Sequence, residues 1–102
     1  FELIKINSKN TNFVIIDIRT PEEFESGHIE GAININYHSD TFVEDIDKLD
    51  KEKTYLVYCR TGRRSSDAVS IMTRQGFREL FRIKGDIVKW KSDGLPVVKK
   101  GK

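Results

Sequence analysis

The sequence predicts an α/β sandwich built on a mostly parallel central sheet, a single domain, and a candidate site at one end of that sheet. Short, β-branched apolar runs alternate with segments whose apolar residues recur at helical spacing. The length of 102 residues suits one domain, residues 1–102, with one hydrophobic core. The sole cysteine, Cys59, directly follows one of the apolar runs. Ligands bind at the carboxyl ends of the strands in such sheets, so this position is a candidate site.

The first strand is predicted at residues 13–18, a nearly continuous apolar run typical of a parallel strand covered on both faces. A short helix follows, because Thr20 can cap its N-terminus, Pro21 suits its first turn and Gly27 can end it. The next strand and helix are predicted at residues 32–35 and 40–49.

The third strand is predicted at residues 55–58 and leads into a loop that opens with Cys59. A helix then begins at Ser65, Ser66 and Asp67, with the two serines as caps, and ends at Gly76. The last strand and helix are predicted at residues 80–83 and 87–90. A turn at residues 10–12 and a frayed basic tail at residues 99–102 complete the chain.

Composition excludes several function classes. Lysine and arginine total 18 against 16 aspartates and glutamates, and a formal charge of +2 argues against binding to nucleic acid or membranes through bulk charge. One cysteine cannot form an internal disulfide, and no Cys or His spacing suggests zinc. We therefore expect a reduced thiol in a cytoplasmic protein with no metal or cofactor. Phe1 is not a natural start, so we expect either a trimmed chain or a piece of a longer protein.

The segment after the third strand favours a reactive thiolate. It reads Cys59-Arg60-Thr61-Gly62-Arg63-Arg64-Ser65 and leads into a helix. Loop N–H groups, a helix N-terminus and three arginines each stabilise a thiolate over a thiol. Positive charge at a helix N-terminus opposes the helix dipole, and an anionic ligand would explain it.

Three stretches resemble the rhodanese family of single-domain sulfurtransferases, in the family's order and spacing. They are residues 16–34, which contain Asp17-Ile18-Arg19 and Gly27-His28-Ile29, residues 57–65 around the cysteine, and residues 85–96. The resemblance implies a three-layer sandwich with about four to five strands and helices on both faces. One departure is Gly85-Asp86, where the family commonly has a Gly-Gly pair, and it places a carboxylate near the active-site side of the fold.

The resemblance also implies an activity. Cys59 would take a sulfane sulfur from thiosulfate or a persulfide donor and pass it to cyanide or a thiol, with a protein acceptor as an open alternative. The N–H groups of residues 60–65 would stabilise the anionic sulfur. Arg60 and Arg64, with Arg63 close behind, are expected to bind the donor's oxyanion, since a guanidinium can donate two hydrogen bonds to it.

Further residues receive structural roles. Asp17 and Arg19 are expected to form an ion pair that braces the loops, and His28 to bond backbone rather than activate Cys59. Related phosphatases and arsenate reductases need an arginine six positions after the cysteine, whereas this chain has Ser65 there. The tighter loop suits sulfur better than phosphate. Two alternatives stay open: a rhodanese-like binding or regulatory module, and a dedicated sulfur carrier for one biosynthetic enzyme.

Overall fold

The computed structural model describes residues 12–83 and 85–98, which form a four-stranded parallel sheet flanked by helices. The strands are β1 (Phe13–Asp17), β2 (Ile33–Asn34), β3 (Thr54–Tyr58) and β4 (Glu79–Arg82), in the order β2-β1-β3-β4. The helices are α1 (Pro21–Ser26), α2 (Phe42–Asp47), α3 (Arg63–Gln75) and α4 (Asp86–Ser92). The predicted alternation of strands and helices is confirmed. The turn at residues 10–12 lies largely outside the described residues, and the tail at 99–102 lies wholly outside them.

Side chains of the central strands alternate between two cores, one on each face of the sheet. Ile16 and Val57 face α2 and α3, whereas Ile15 and Leu56 face α4. The first core consists of Ile16, Ile18, Phe42, Ile46, Tyr55, Val57, Cys59, Ala68, Met72 and Phe77. The second consists of Ile15, Ile29, Leu56, Tyr58, Ile87 and Trp90. Helices therefore cover both faces, and the predicted three-layer sandwich is confirmed.

The strand register brings the carboxyl ends of the strands to one edge of the sheet. Asp17, the last residue of β1, pairs with Tyr58 at the end of β3. Val57 pairs with Arg82 at the end of β4. Cys59 follows Tyr58 directly, so it emerges at this edge with β1 and β4 on either side of its strand.

The helix termini largely follow the predicted capping signals. Thr20 caps α1, and Glu23 completes a capping box by accepting from the Thr20 N–H at 3.1 Å. The prediction for α3 is wrong at its start: the helix begins at Arg63, and its N-cap is Gly62 with φ 113°. Ser65 is already inside the first turn, so its hydroxyl does not cap the helix and is available for contacts across the fold.

Candidate active site

The thiol of Cys59 lies in a cradle of backbone N–H groups. Its side chain belongs to the core facing α3, and the residue is only 1% exposed. The sulfur Sγ accepts hydrogen bonds from the N–H of Gly62 at 3.1 Å and from the N–H of Ser65 at 3.3 Å. Both donors lie at the start of α3, where backbone N–H groups have no partner within the helix. The geometry therefore stabilises negative charge on sulfur.

Helix α4 holds the loop from the other side. The N–H groups of Ile87 and Val88 donate to the carbonyl oxygens of Cys59 and Arg60, each at 3.1 Å. These N–H groups belong to the first turn of α4 and would otherwise be unpaired. The first two carbonyls of the loop are thus directed towards α4, while the N–H groups of Gly62 and Ser65 face the sulfur.

Gly62 is needed at the turn between the loop and α3. Its φ of 113° lies in a region that L side chains rarely adopt. A Cβ at this position would lie 2.9 Å from Nη2 of Arg82 and 2.9 Å from Oδ2 of Asp86. The glycine therefore permits both the turn and the close approach of two charged side chains.

Asp86, at the point of departure from the family pattern, packs directly behind the cysteine. It is 1% exposed, and its Oδ1 accepts from the Cys59 N–H and from the Ser65 hydroxyl, each at 2.8 Å. Its φ of 54° is a left-handed conformation, which Asp tolerates better than most residues. The carboxylate expected near the active-site side of the fold is therefore bonded to the backbone of Cys59 itself.

Arg82 joins this site, although the sequence reasoning did not include it. Its Nε donates to Ser65 Oγ and its Nη2 to the Gly62 carbonyl, both at 3.1 Å. Nη2 also lies 3.8 Å from Oδ2 of Asp86. The signal that could have found it is its place at the end of a predicted strand neighbouring that of Cys59, since parallel strands end at one edge.

The loop arginines occupy different environments. Arg60 and Arg63 are exposed, as is Thr61. Arg64 is paired with Glu23 of α1, with Nη1 3.1 Å from Oε1 and Nη2 3.4 Å from Oε2. Burial by itself would raise the pKa of Glu23, but the hydrogen bonds from Arg64 and Thr20 and the charge of Arg64 lower it from 4.5 to about 2. The charge of Arg64 is thus already balanced by α1.

Asp17 and Arg19 form a buried ion pair at the end of β1. Arg19 Nη2 lies 2.7 Å from Asp17 Oδ2, and it also donates to the Gly27 carbonyl at 2.7 Å. Burial alone would lower the pKa of Arg19, but the hydrogen bond and charge of Asp17 raise it. Beneath the guanidinium lies Tyr58, whose hydroxyl accepts from the Ile29 N–H at 3.0 Å. The pair thus ties β1 to the chain after α1.

His28 is held by α1. Its Nδ1 lies 2.7 Å from the Phe24 carbonyl oxygen, and its ring stacks on the Phe24 ring with centroids 3.7 Å apart. Because a carbonyl oxygen can only accept, Nδ1 carries the proton in this bond. The imidazole is thus occupied in a local structural contact. Within the described residues, no group of three or more His, Cys, Asp or Glu side chains could hold a metal ion. The helices of this part of the chain all lack the length and apolar character of a membrane span.

Comparisons with known proteins agree with this architecture. The family model for the rhodanese-like domain matches residues 2–93. A sulfurtransferase of Allochromatium vinosum is 32% identical over 83% of this chain and 78% of its own length. A tRNA uridine(34) hydroxylase of Yersinia enterocolitica is 38% identical over 90% of this chain, which corresponds to only 28% of that protein.

Solved structures show the same fold. A rhodanese-related protein from Thermoplasma volcanium superposes with a TM-score of 0.79 at 32% identity, covering 93% of this chain and 90% of the other. The Alr3790 protein from Anabaena gives a TM-score of 0.81 at 26% identity, covering 96% and 79%. With the family model spanning most of its length, this chain belongs to the rhodanese-like domain family.

Proposed function

We propose that this chain is a sulfurtransferase that carries a sulfane sulfur as a Cys59 persulfide. The observation that carries the proposal is the placement of Sγ against the N–H groups of Gly62 and Ser65. Donors fixed in place before reaction stabilise an anion without reorganising. The sulfurtransferase from Allochromatium vinosum, which matches most of this chain, supports the same chemistry.

The reaction consists of two half-reactions through a covalent intermediate. The Cys59 thiolate attacks the outer sulfur of the donor, the new Sγ–S bond forms, and the donor's S–S bond breaks. With thiosulfate, sulfite leaves with the electron pair of that bond. An acceptor such as cyanide or a thiolate then attacks the terminal sulfur of the persulfide, and Cys59 is released as a thiolate. No external oxidant or reductant is needed.

The length of the loop supports sulfur rather than phosphate as the transferred group. The N–H of Ser65, the sixth residue after Cys59, is itself a ligand of Sγ, and its hydroxyl is bonded to Asp86. Arg64, which directly precedes this sixth position, is paired with Glu23. A phosphatase cradle would need a free guanidinium facing a tetrahedral oxyanion. We accordingly give phosphatase and arsenate reductase activities no part in the proposal.

The test is intact-mass analysis of the reduced protein after exposure to thiosulfate or an alkyl persulfide. The unsubstituted protein should gain one sulfur atom, cyanide should remove it, and Cys59→Ser should gain none. As a matched control, Ser66→Ala changes an exposed serine near the start of α3 and should load normally. Failure of the unsubstituted protein to gain sulfur from either donor would overturn the proposal.

A dedicated sulfur carrier is a second candidate. It is favoured because some relatives are much longer proteins, in which the matching domain is joined to other parts of the chain. The chain spans 28% of the tRNA uridine(34) hydroxylase and 21% of a probable adenylyltransferase/sulfurtransferase of Mycobacterium tuberculosis. Such a carrier would load quickly but transfer poorly to cyanide, and would need a protein acceptor. A binding or regulatory module would instead keep its partner after Cys59→Ser and show no turnover.

Both the sulfurtransferase and the sulfur carrier need Cys59 as a reduced thiol. Because thiols stay reduced in the cytosol, we propose a cytoplasmic location.

A further inference from the structure

Asp86 is a buried charge at a site built to hold another negative charge. The residue is 1% exposed and lies in a left-handed conformation at the start of α4. Its Oδ1 accepts from the N–H of Cys59, and its Oδ2 has no hydrogen-bond partner among the described residues. Burying a carboxylate is costly, and this one is compensated only in part, by hydrogen bonds to Oδ1 and by Arg82 at 3.8 Å from Oδ2.

The Ser65 hydroxyl is committed to Asp86 rather than to the sulfur. It lies 2.8 Å from Oδ1 of Asp86 and 3.3 Å from the Gly62 carbonyl, and the single hydroxyl proton goes to the closer, charged acceptor. Arg82 donates into the same hydroxyl oxygen. The sulfur of Cys59 is therefore stabilised by backbone N–H groups and not by the Ser65 hydroxyl. The charged side chains nearest to this hydroxyl are those of Asp86 and Arg82.

The fixed negative charge is close enough to act on a bound donor. Oδ1 lies 2.8 Å from the Cys59 nitrogen, which places it roughly 7 Å or less from Sγ when this hydrogen bond is added to the geometry of a cysteine residue. Arg82 offsets the charge only in part. Its Nη2 stands 3.8 Å from Oδ2, and its side chain is 40% exposed, so solvent screens the cation more than the buried anion.

A second carboxylate reduces the positive field on the other side of the loop. Arg64 is paired with Glu23 and contributes little net charge to an incoming donor. Arg60 and Arg63 remain, but both are exposed to solvent. The loop is consequently less cationic around the sulfur than its three arginines indicate. Because electrostatic attraction scales with charge, this loss weakens the binding of a dianionic donor more than that of a monoanionic one.

We propose that Asp86 is a specificity-determining residue that favours persulfide donors of the form R–S–SH, which carry at most one negative charge at the sulfur, over the thiosulfate dianion. This inference rests on the proposed sulfur transfer. In the favoured reaction the Cys59 thiolate attacks the outer sulfur, the Sγ–S bond forms, and the donor S–S bond breaks. The thiolate RS⁻ leaves with the electron pair, and the proton of the outer sulfur stays on the new Cys59 persulfide.

The test compares loading rates for two donors, thiosulfate and 2-hydroxyethyl persulfide, in single-turnover reactions read by intact mass. Asp86→Asn removes the charge but keeps an amide oxygen for Cys59 and Ser65, and Asn also tolerates the left-handed backbone. We expect the ratio of the thiosulfate rate constant to the persulfide rate constant to rise about tenfold in this variant. Asp93→Asn, which removes an exposed charge at the far end of α4, should leave the ratio unchanged.

Arg82→Gln supplies a second variant with the opposite expectation. It leaves Asp86 without its neighbouring cation, so the same ratio should fall. A purely structural role for Asp86 and Arg82 would slow loading by both donors equally and leave the ratio constant in both variants, which would overturn the inference. Absence of loading in the unsubstituted protein would instead refute the proposed function, so the two failures are distinguishable.

Discussion

Replacing Glu23 with Gln should make the stability of this domain less dependent on pH in acid. In the folded protein Glu23 is paired with Arg64 and accepts hydrogen bonds from Thr20, and its pKa is about 2 compared with 4.5 for an unperturbed glutamate. A pKa that is lower in the folded state means that folding favours the ionised carboxylate. Its contribution to stability is therefore fully present above about pH 4.5 and is lost as the pH falls from there towards 2.

The size of this contribution follows from the difference between the folded and unfolded pKa values of Glu23. A pKa difference between 4.5 and about 2 corresponds to roughly 3 kcal/mol at neutral pH. The Glu23 side chain is 30% exposed, so solvent screening reduces the effect, and we expect about 1 to 2 kcal/mol. That contribution should shrink steadily as the pH falls from about 4.5 towards 3.

The assay is urea-induced unfolding of the unsubstituted protein and Glu23→Gln at several pH values between about 7 and 3. The difference in the free energy of unfolding between the two proteins isolates Glu23 from other groups that titrate in acid. Glu22→Gln is the matched control, because Glu22 is an exposed carboxylate in the same first turn of α1. It removes the same interaction with the helix dipole without touching the ion pair.

A difference between the unsubstituted protein and Glu23→Gln that stays constant from neutral pH to about pH 3 would refute this expectation. It would also be refuted if Glu22→Gln showed the same pH dependence as Glu23→Gln. Either result would mean that the contact between Glu23 and Arg64 does not set the protonation of the carboxylate. High salt should diminish the pH-dependent difference, since the pair is partly exposed.

Four further substitutions, of which Gly76→Ala is a control, test the site and the core that supports it. Gly62→Ala should slow sulfur loading at least tenfold, because the added Cβ would clash with charged atoms of Arg82 and Asp86. The control Gly76→Ala has a similar φ of 97° but open space around the added Cβ. It should cost about 1 kcal/mol of stability and leave loading unchanged. Arg19→Gln leaves Asp17 buried without its partner and should cost roughly 3 to 5 kcal/mol in chemical denaturation. Met72→Ala, at a fully buried position, should cost about 2 to 5 kcal/mol by the same measurement, without a change in donor preference.

Local sequence signals predicted most of the architecture. The apolar run of β1 and the Thr20 cap of α1 depend on interactions between residues close together in the chain. Such interactions can be predicted from the local sequence. The start of α3 was predicted wrongly because Ser65 and Ser66 are good capping residues, whereas the actual N-cap, Gly62, is selected by the close approach of Asp86 and Arg82. Those contacts come from residues distant in sequence.

The sequence by itself determined that this is a rhodanese-like α/β domain with a thiol at the carboxyl end of a central strand. Periodicity, capping and the motif around Cys59 depend on short-range chemistry. Only the tertiary structure decided the electrostatics of the site: α1 balances Arg64 with Glu23, and α4 places the Asp86 carboxylate against the backbone of Cys59. The reason is that the interaction between charges depends on their distance and burial, and folding sets both for residues far apart in the chain.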